Sequence, residues 1–273
     1  MAVGPRLSSS SRIATMAREG AEQAIERALD EALRLAGGAP IAAVALATPG
    51  VVEGGRVRQA PNLPGLEELD VPALIARRLP GTRLRLLNDV NAATVGLRGT
   101  VVGGSDTALV VGLGTGIAAG LLLDGRLWEG SRHAAGELGE ALICPPGSDV
   151  PVPLEVVAGG RALDELAAGF ELAGARQLLD AADDPEVRSA VLPRLDALAG
   201  ALAVACRLLD PDHLVLFGGL AAHPLVRARV ERMLVSHRLG ELRVHWVEEG
   251  VRPAMQGAVA AAVECVVPSG VRS

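Results

Sequence analysis

Apolar residues recur along this chain with two periods, and the alternation between them sets out the elements. Ala17, Ala21, Ile25, Leu29, Ala32, Leu33 and Ala36 return at helical spacing, which predicts a helix over 15–36 ended by Gly37-Gly38. A β-rich run over 41–47 closes on Thr48-Pro49-Gly50. Glu53-Gly54-Gly55 is a turn signal before an exposed strand over 56–59, and 60–65 is a stiff Pro/Gly loop. Residues 71–79 read as a helix with Asp70 as N-cap and Pro72 in the first turn. A strand over 83–87 runs into Asn88-Asp89-Val90-Asn91, where a further helix begins.

The middle of the chain has a different grain. One apolar run enters the turn Gly112-Leu113-Gly114-Thr115-Gly116 and another leaves it, toward a second tight turn at Asp124-Gly125. Strand, glycine turn, strand can present backbone N–H groups to a phosphate. Beyond it, 144–153 reads as a Pro/Gly-rich loop, followed by helices over 154–167, 171–181 and 185–209, the last capped by Asp183 or Asp184. A buried strand over 213–217 feeds Gly218-Gly219. A helix over 224–238, a strand over 242–247 and a closing helix over 253–266 complete the pattern. Strands alternating with helices indicate an α/β fold.

Composition narrows the class. The chain has 273 residues, 49% hydrophobic and 21% charged, which is enough to bury a sizeable core. Aromatic residues are 1%, so the core is built from Leu, Val, Ile and Ala. All 26 basic residues are Arg, which excludes lysine-based chemistry. The net charge of −6 argues against a nucleic-acid partner, which would require a basic face. Cys144, Cys206 and Cys265 are far apart and give neither a disulfide framework nor a Cys-x-x-Cys spacing, in keeping with a reducing cytoplasm. The uncharged run 107–123 has 17 residues, short for a membrane span and interrupted by four glycines, so a soluble protein without a membrane partner is expected.

Candidate chemistry lies at the ends of strands. Asp89 reads either as an ordinary helix N-cap or as a general base held by amides, accepting a proton from a hydroxyl. Glu137 and Glu140, in a glycine-spaced segment, and Glu155, after a proline loop, are either solvated or hydrogen-bond acceptors for a polyhydroxylated ligand. Gly218-Gly219 is either a tight βα connection or a turn that a nucleotide approaches. His133 has no Cys or His at ligand spacing and reads as a packed or surface residue.

In this order the segments resemble the ROK family of bacterial sugar kinases and sugar-responsive repressors. Thr48-Pro49-Gly50 and Ala60-Pro61-Asn62-Leu63-Pro64-Gly65 are similar to its "PG … PNLPGW" segment. Asn88-Asp89-Val90-Asn91-Ala92-Ala93 is similar to "NDANAAA", and the turn around Gly114 to "LGTGIGGG". Asp124-Gly125-Arg126-Leu127 with Ala135-Gly136-Glu137-Leu138-Gly139 is similar to "DGKLxxG … AGEIGH". Pro153-Leu154-Glu155 with Gly159-Gly160-Arg161-Ala162-Leu163 resembles "CLExxASGxAL", and Val215-Leu216-Phe217-Gly218-Gly219 resembles "VVLGGG".

The resemblance implies an actin/hexokinase-like fold of two RNase H-like α/β lobes with a cleft between them. The lobes would be 1–104 and 105–252, the first incomplete and completed by the C-terminal helix 253–267. It implies ATP-dependent phosphorylation of a hexose with Mg2+, or descent from such a kinase. The alternative it implies is a non-catalytic sugar-binding or regulatory protein, and dimerisation is common in the family. Asp89 would be the base. Asn62, Asn88, Asp89, Glu137, Glu140 and Glu155 would hold the sugar, and Gly114, Thr115, Gly116, Gly218 and Gly219 the nucleotide. Family kinases also open with a "DIGGTK" turn, and nothing before Ile41 resembles it. An in-frame Asp-x-Gly-Gly-Thr about 35–45 codons before Ile41, the length of a strand pair with its turns, would restore the kinase reading, and its absence would favour the non-catalytic one. Glu140 stands where the family keeps a histidine. Of the zinc loop only Cys144 is kept, so no structural zinc is expected.

Overall fold

The computed structural model describes residues 9–60, 63–145, 147–247 and 252–267. It divides into two compact units. The first comprises Met1–Leu97, Gly130–Ala134 and Arg252–Ser273, and the second Arg98–Glu129 and Ala135–Val251.

The first unit opens with a 3-10 turn at Ala17–Glu19 and helix α1 (Ala21–Ala36). Gly20, at φ 101°, separates the two, so the helix expected over 15–36 is shorter at its start. α1 buries Ala21, Ile25 and Leu29, one turn apart on one face. β1 (Ala43–Thr48), β2 (Val51–Glu53), β3 (Arg56–Arg58), α2 (Val71–Arg78), β4 (Arg83–Asn88) and α3 (Asp89–Leu97) follow. β2 and β3 form a hairpin turned by Gly54 and Gly55, both at positive φ. Asp70 caps α2, accepting from Ala73 N–H at 2.9 Å, and α2 packs into an apolar cluster with α1 through Leu74 and Ile75. β1 and β4 run parallel and end together, Thr48 opposite Asn88. α3 is buried on every side from Val90 to Leu97.

The second unit has a five-stranded sheet. β5 (Ala108–Leu113), β6 (Ile117–Leu123) and β7 (Arg126–Trp128) form an antiparallel meander. The short pair β8 (Leu142–Ile143) and β9 (Val152–Pro153) brackets the loop expected over 144–153. Helices α4 (Leu154–Ala158), α5 (Gly160–Gly169), α6 (Ala175–Asp180) and α7 (Pro185–Leu209) lead to β10 (His213–Phe217), α8 (Pro224–Ser236) and β11 (Arg243–Trp246). The sheet order is β11-β10-β5-β6-β7, with β10 parallel to both β5 and β11. β5 is buried along its whole length, as a strand covered on both faces should be. α7 is long and apolar enough to cross a membrane by composition, but Val191, Leu195, Leu198, Leu202 and Cys206 are buried in the sheet's apolar cluster. Asp184, rather than Asp183, caps it through Glu186 and Val187 N–H at 2.8 and 3.1 Å.

Two helices in this unit depart from the apolar pattern. The helix expected over 154–167 breaks at Gly159, because Gly160 and Arg161 donate their N–H groups to Gly114 and Thr115 carbonyls, both at 2.9 Å. The helix expected over 171–181 begins only at Ala175, whose N–H is taken by Asp164 Oδ1 at 2.7 Å. In both cases a distant partner, invisible to local periodicity, sets the start.

α9 (Pro253–Val266) packs against α3, β1 and β4 of the first unit. The crossing with α3 is made by two glycines. A Cβ on Gly257 would lie 1.7 Å from Ala92 O, and one on Gly96 would lie 2.1 Å from Pro253 O. Only hydrogen side chains permit so close an approach.

Candidate functional site

In the first unit the candidate chemistry sits where β1 and β4 end, at the carboxyl ends of parallel strands where α/β proteins bind ligands. Asn88 fastens this corner. Its Nδ2 donates to Gly50 O at 2.9 Å, and its Oδ1 accepts from Val90 and Asn91 N–H at 2.9 and 3.1 Å. Asn88 therefore caps α3. Asp89 accepts from Val90 N–H at 2.8 Å through one oxygen, Oδ1. Burial pushes its carboxyl above the usual aspartate range, against the opposing pull of backbone N–H groups at Val90 and Asp89 itself. Two more polar atoms here, Thr48 Oγ1 and Asn91 Oδ1, are buried without a hydrogen-bond partner. Gly50, at φ 87°, brings the loop to within 2.5 Å of Arg58 O measured from a built Cβ, so the turn after Thr48 requires glycine. Asn62, expected to contact the sugar, lies outside the described residues.

In the second unit the glycine turn between β5 and β6 is tied down from two sides. Gly160 and Arg161 bond its carbonyls as described, and Glu155 Oε2 accepts from Ile117 N–H at 3.3 Å. A Cβ at Gly116 would lie 2.5 Å from that same oxygen, so Gly116 makes room for the Glu155 carboxylate. The segment after Gly136 lies tightly across β6. Ala119 N–H donates to Gly136 O at 2.7 Å, and a Cβ on Gly139 would lie 2.2 Å from Ile117 O and 3.0 Å from Glu155 Oε2. Glu137 and Glu140 thus flank the glycine that touches Glu155. Glu140 is exposed at the end of the 3-10 turn Leu138–Glu140.

A cavity of about 550 Å³ opens beside the turn. Gly114, Thr115, Gly160 and Gly219 line it. Leu179, Asp180, His223 and Pro224, from α6 and the start of α8, are also part of its lining. Gly218 reverses the chain after β10 at φ 100°, its built Cβ 2.5 Å from Leu113 O. Both glycine turns therefore belong to one concave surface, with backbone in place of side chains. The α6 and His223 side of the cavity was not foreseen from the sequence. Its one local signal is His223-Pro224, an N-cap followed by Pro at the first helical position, four residues after Gly219. Among the described residues no three His, Cys, Asp or Glu side chains converge as metal ligands.

Comparison with known proteins agrees with these motifs. The ROK family model matches residues 6–264. A glucokinase of Thermotoga maritima is 30% identical over 233 residues, 76% of this chain and 73% of the relative. The ROK hexokinase from Thermus thermophilus superposes with a TM-score of 0.78 at 27% identity, covering 95% of this chain and 92% of that one. A ROK family glucokinase from Streptomyces griseus, solved with glucose and AMPPNP, superposes with a TM-score of 0.73 at 24% identity, covering 95% and 93%. The fold is therefore actin/hexokinase-like. With its motifs in order and a family match over nearly its whole length, the chain belongs to the ROK family.

Proposed function

We propose that this chain is a sugar kinase that transfers the terminal phosphoryl group of ATP to a hexose hydroxyl, with Asp89 as the general base. The observation that carries the reading is the division of work at the start of α3. Asn88 supplies the helix cap, and Asp89 keeps a carboxylate oxygen for chemistry in surroundings that raise its proton affinity. A base with a raised pKa lies closer to the operating pH, where proton abstraction is most effective. Asn88, Asn62, Glu137, Glu140 and Glu155 are proposed to hold the sugar hydroxyls. The partnerless Thr48 Oγ1 and Asn91 Oδ1 support a polar ligand at this corner, since a buried unmade hydrogen bond costs about 1–3 kcal/mol. Gly114, Thr115, Gly116, Gly218 and Gly219 are proposed to receive the phosphates through backbone N–H groups. Magnesium takes most of its ligands from phosphate and water, so it would arrive with the nucleotide and neutralise phosphate charge. Catalysis then rests on positioning and charge stabilisation.

The relatives named above act on glucose or hexose, and they support the sugar class. The test is a coupled assay of ATP-dependent phosphorylation across glucose, mannose and their N-acetylated amino sugars. Turnover of at least one of these is expected; turnover of none overturns the kinase reading. A non-catalytic sugar-binding protein is the second reading. It is motivated by Glu140, which stands where the family keeps a histidine. Calorimetry would then show sugar binding without turnover.

A further inference from the structure

The nucleotide cavity has a side chain pair that no glycine motif explains. His223 Nδ1 accepts the N–H of Leu225 at 3.2 Å, capping α8. That bond fixes the tautomer: the proton must be on Nε2. Nε2 lies 3.0 Å from Asp180 Oδ1, so His223 donates to the Asp180 carboxylate. The imidazole is nearly buried, with 11% of its side chain exposed, whereas Asp180 is 65% exposed. Asp180 is the last residue of α6, at the end where a helix dipole disfavours negative charge, so helix stability does not account for it. A second cavity, of about 370 Å³, adjoins the first, and the two share Leu179, Asp180, His223 and Pro224. The Asp180–His223 pair is thus shared by the two cavities and fixed at the end of α6 and the start of α8.

We propose that Asp180 and His223 form the recognition clasp for the base of the nucleotide. The proposal rests on the assignment of this cavity to ATP. With Oδ1 held by His223, the second oxygen of Asp180 is left to accept an N–H from the base. Leu179 and Pro224 supply apolar surface for its face. A carboxylate acceptor favours the 6-amino group of adenine and repels the 6-oxo oxygen of hypoxanthine. Asp180 is the specificity-determining residue, and His223 is a positioning residue that holds its carboxylate in place.

The experiment is calorimetric titration of the full chain with ATP and with ITP, alongside steady-state KM values for both. The wild-type chain is expected to prefer ATP by about tenfold or more, the scale of one hydrogen bond to a charged group. Asp180→Asn, at an exposed position that tolerates substitution, is expected to collapse that preference to within about threefold, because an amide can donate as well as accept. His223→Asn retains a good N-cap for α8 but is too short to reach Asp180. It is expected to raise the nucleotide KM about fivefold or more, with the sugar KM unchanged. An ATP-to-ITP ratio that is the same in Asp180→Asn as in the wild type overturns the clasp and leaves the kinase reading standing. Failure of the wild-type chain to bind either nucleotide overturns both.

Discussion

The two units share a plan and differ in what surrounds it. Each contains a parallel strand pair with a helix in the connection: β1, α2 and β4 in one, β10, α8 and β11 in the other. In the second unit β10 is also paired with β5, and the meander β5-β6-β7 extends the sheet. In the first, the described residues give β1 no partner beyond β4. The phosphate-type glycine turn is a property of the meander, so it exists in the second unit. The strand-end carboxylate Asp89 directly follows β4, in the first unit. The proposed division of labour follows this contrast, with Asp89 proposed as the base on one unit and the cavity beside the glycine turn proposed for the nucleotide on the other.

The largest expected effect comes from removing the base. Asp89→Asn should lower the rate of sugar phosphorylation by about 10²–10⁴-fold, the usual weight of general-base catalysis. It should not lower the melting temperature. The folded-state pKa of Asp89 is raised, so ionised Asp89 costs stability, and that cost grows as pH rises through the unfolded value toward the folded one. An uncharged amide relieves it. For the same reason kcat/KM of the wild type should fall on the acid side with a limb above the ordinary aspartate value of about 3.9. A limb at or below that value would show that burial does not tune this group.

Packing gives the next effect. Gly257→Ala places a methyl group against Ala92 O, where helices α3 and α9 cross. It should cost about 1–3 kcal/mol in denaturant unfolding, as overpacked interiors do. Gly114 sharpens the contrast, because a Cβ there meets nothing within 4 Å. Gly114→Val should leave stability unchanged and raise the nucleotide KM by about tenfold, since the side chain would stand in the cavity. Loss of stability in Gly114→Val, or none in Gly257→Ala, would break the assignment of these glycines.

The smallest effect lies at the far end of the second unit's sheet. Asp106 Oδ2 lies 2.8 Å from His213 Nε2, and His213 Nδ1 lies 2.8 Å from His245 Nε2. The bond from His213 holds the Asp106 carboxyl below its usual range. A depressed carboxylate pKa contributes stability above the unfolded value, lost as pH falls through the folded one. Asp106→Asn should therefore lower the melting temperature slightly at neutral pH, and the difference from wild type should shrink below about pH 4.

How much of this was legible in the sequence depended on where each element finds its partners. α7 and α9 have the ends that the apolar period and their prolines predict, because caps and prolines act within a few residues. α5 and α6 start where Gly114, Thr115 and Asp164 dictate, and those contacts span many residues. At the candidate site the motif residues could be named, but two readings of Asp89 stayed open. Which of two adjacent polar residues caps α3 depends on the Asn88 bond to Gly50, 38 residues away. The Asp180–His223 pair joins α6 to α8 across 43 residues, so no local spacing announces it.

The division of labour is tested most directly by measuring nucleotide affinity and sugar phosphorylation side by side on Asp89→Asn. The account predicts wild-type affinity for ATP with phosphorylation reduced at least about 100-fold. Phosphorylation at the wild-type rate would contradict it.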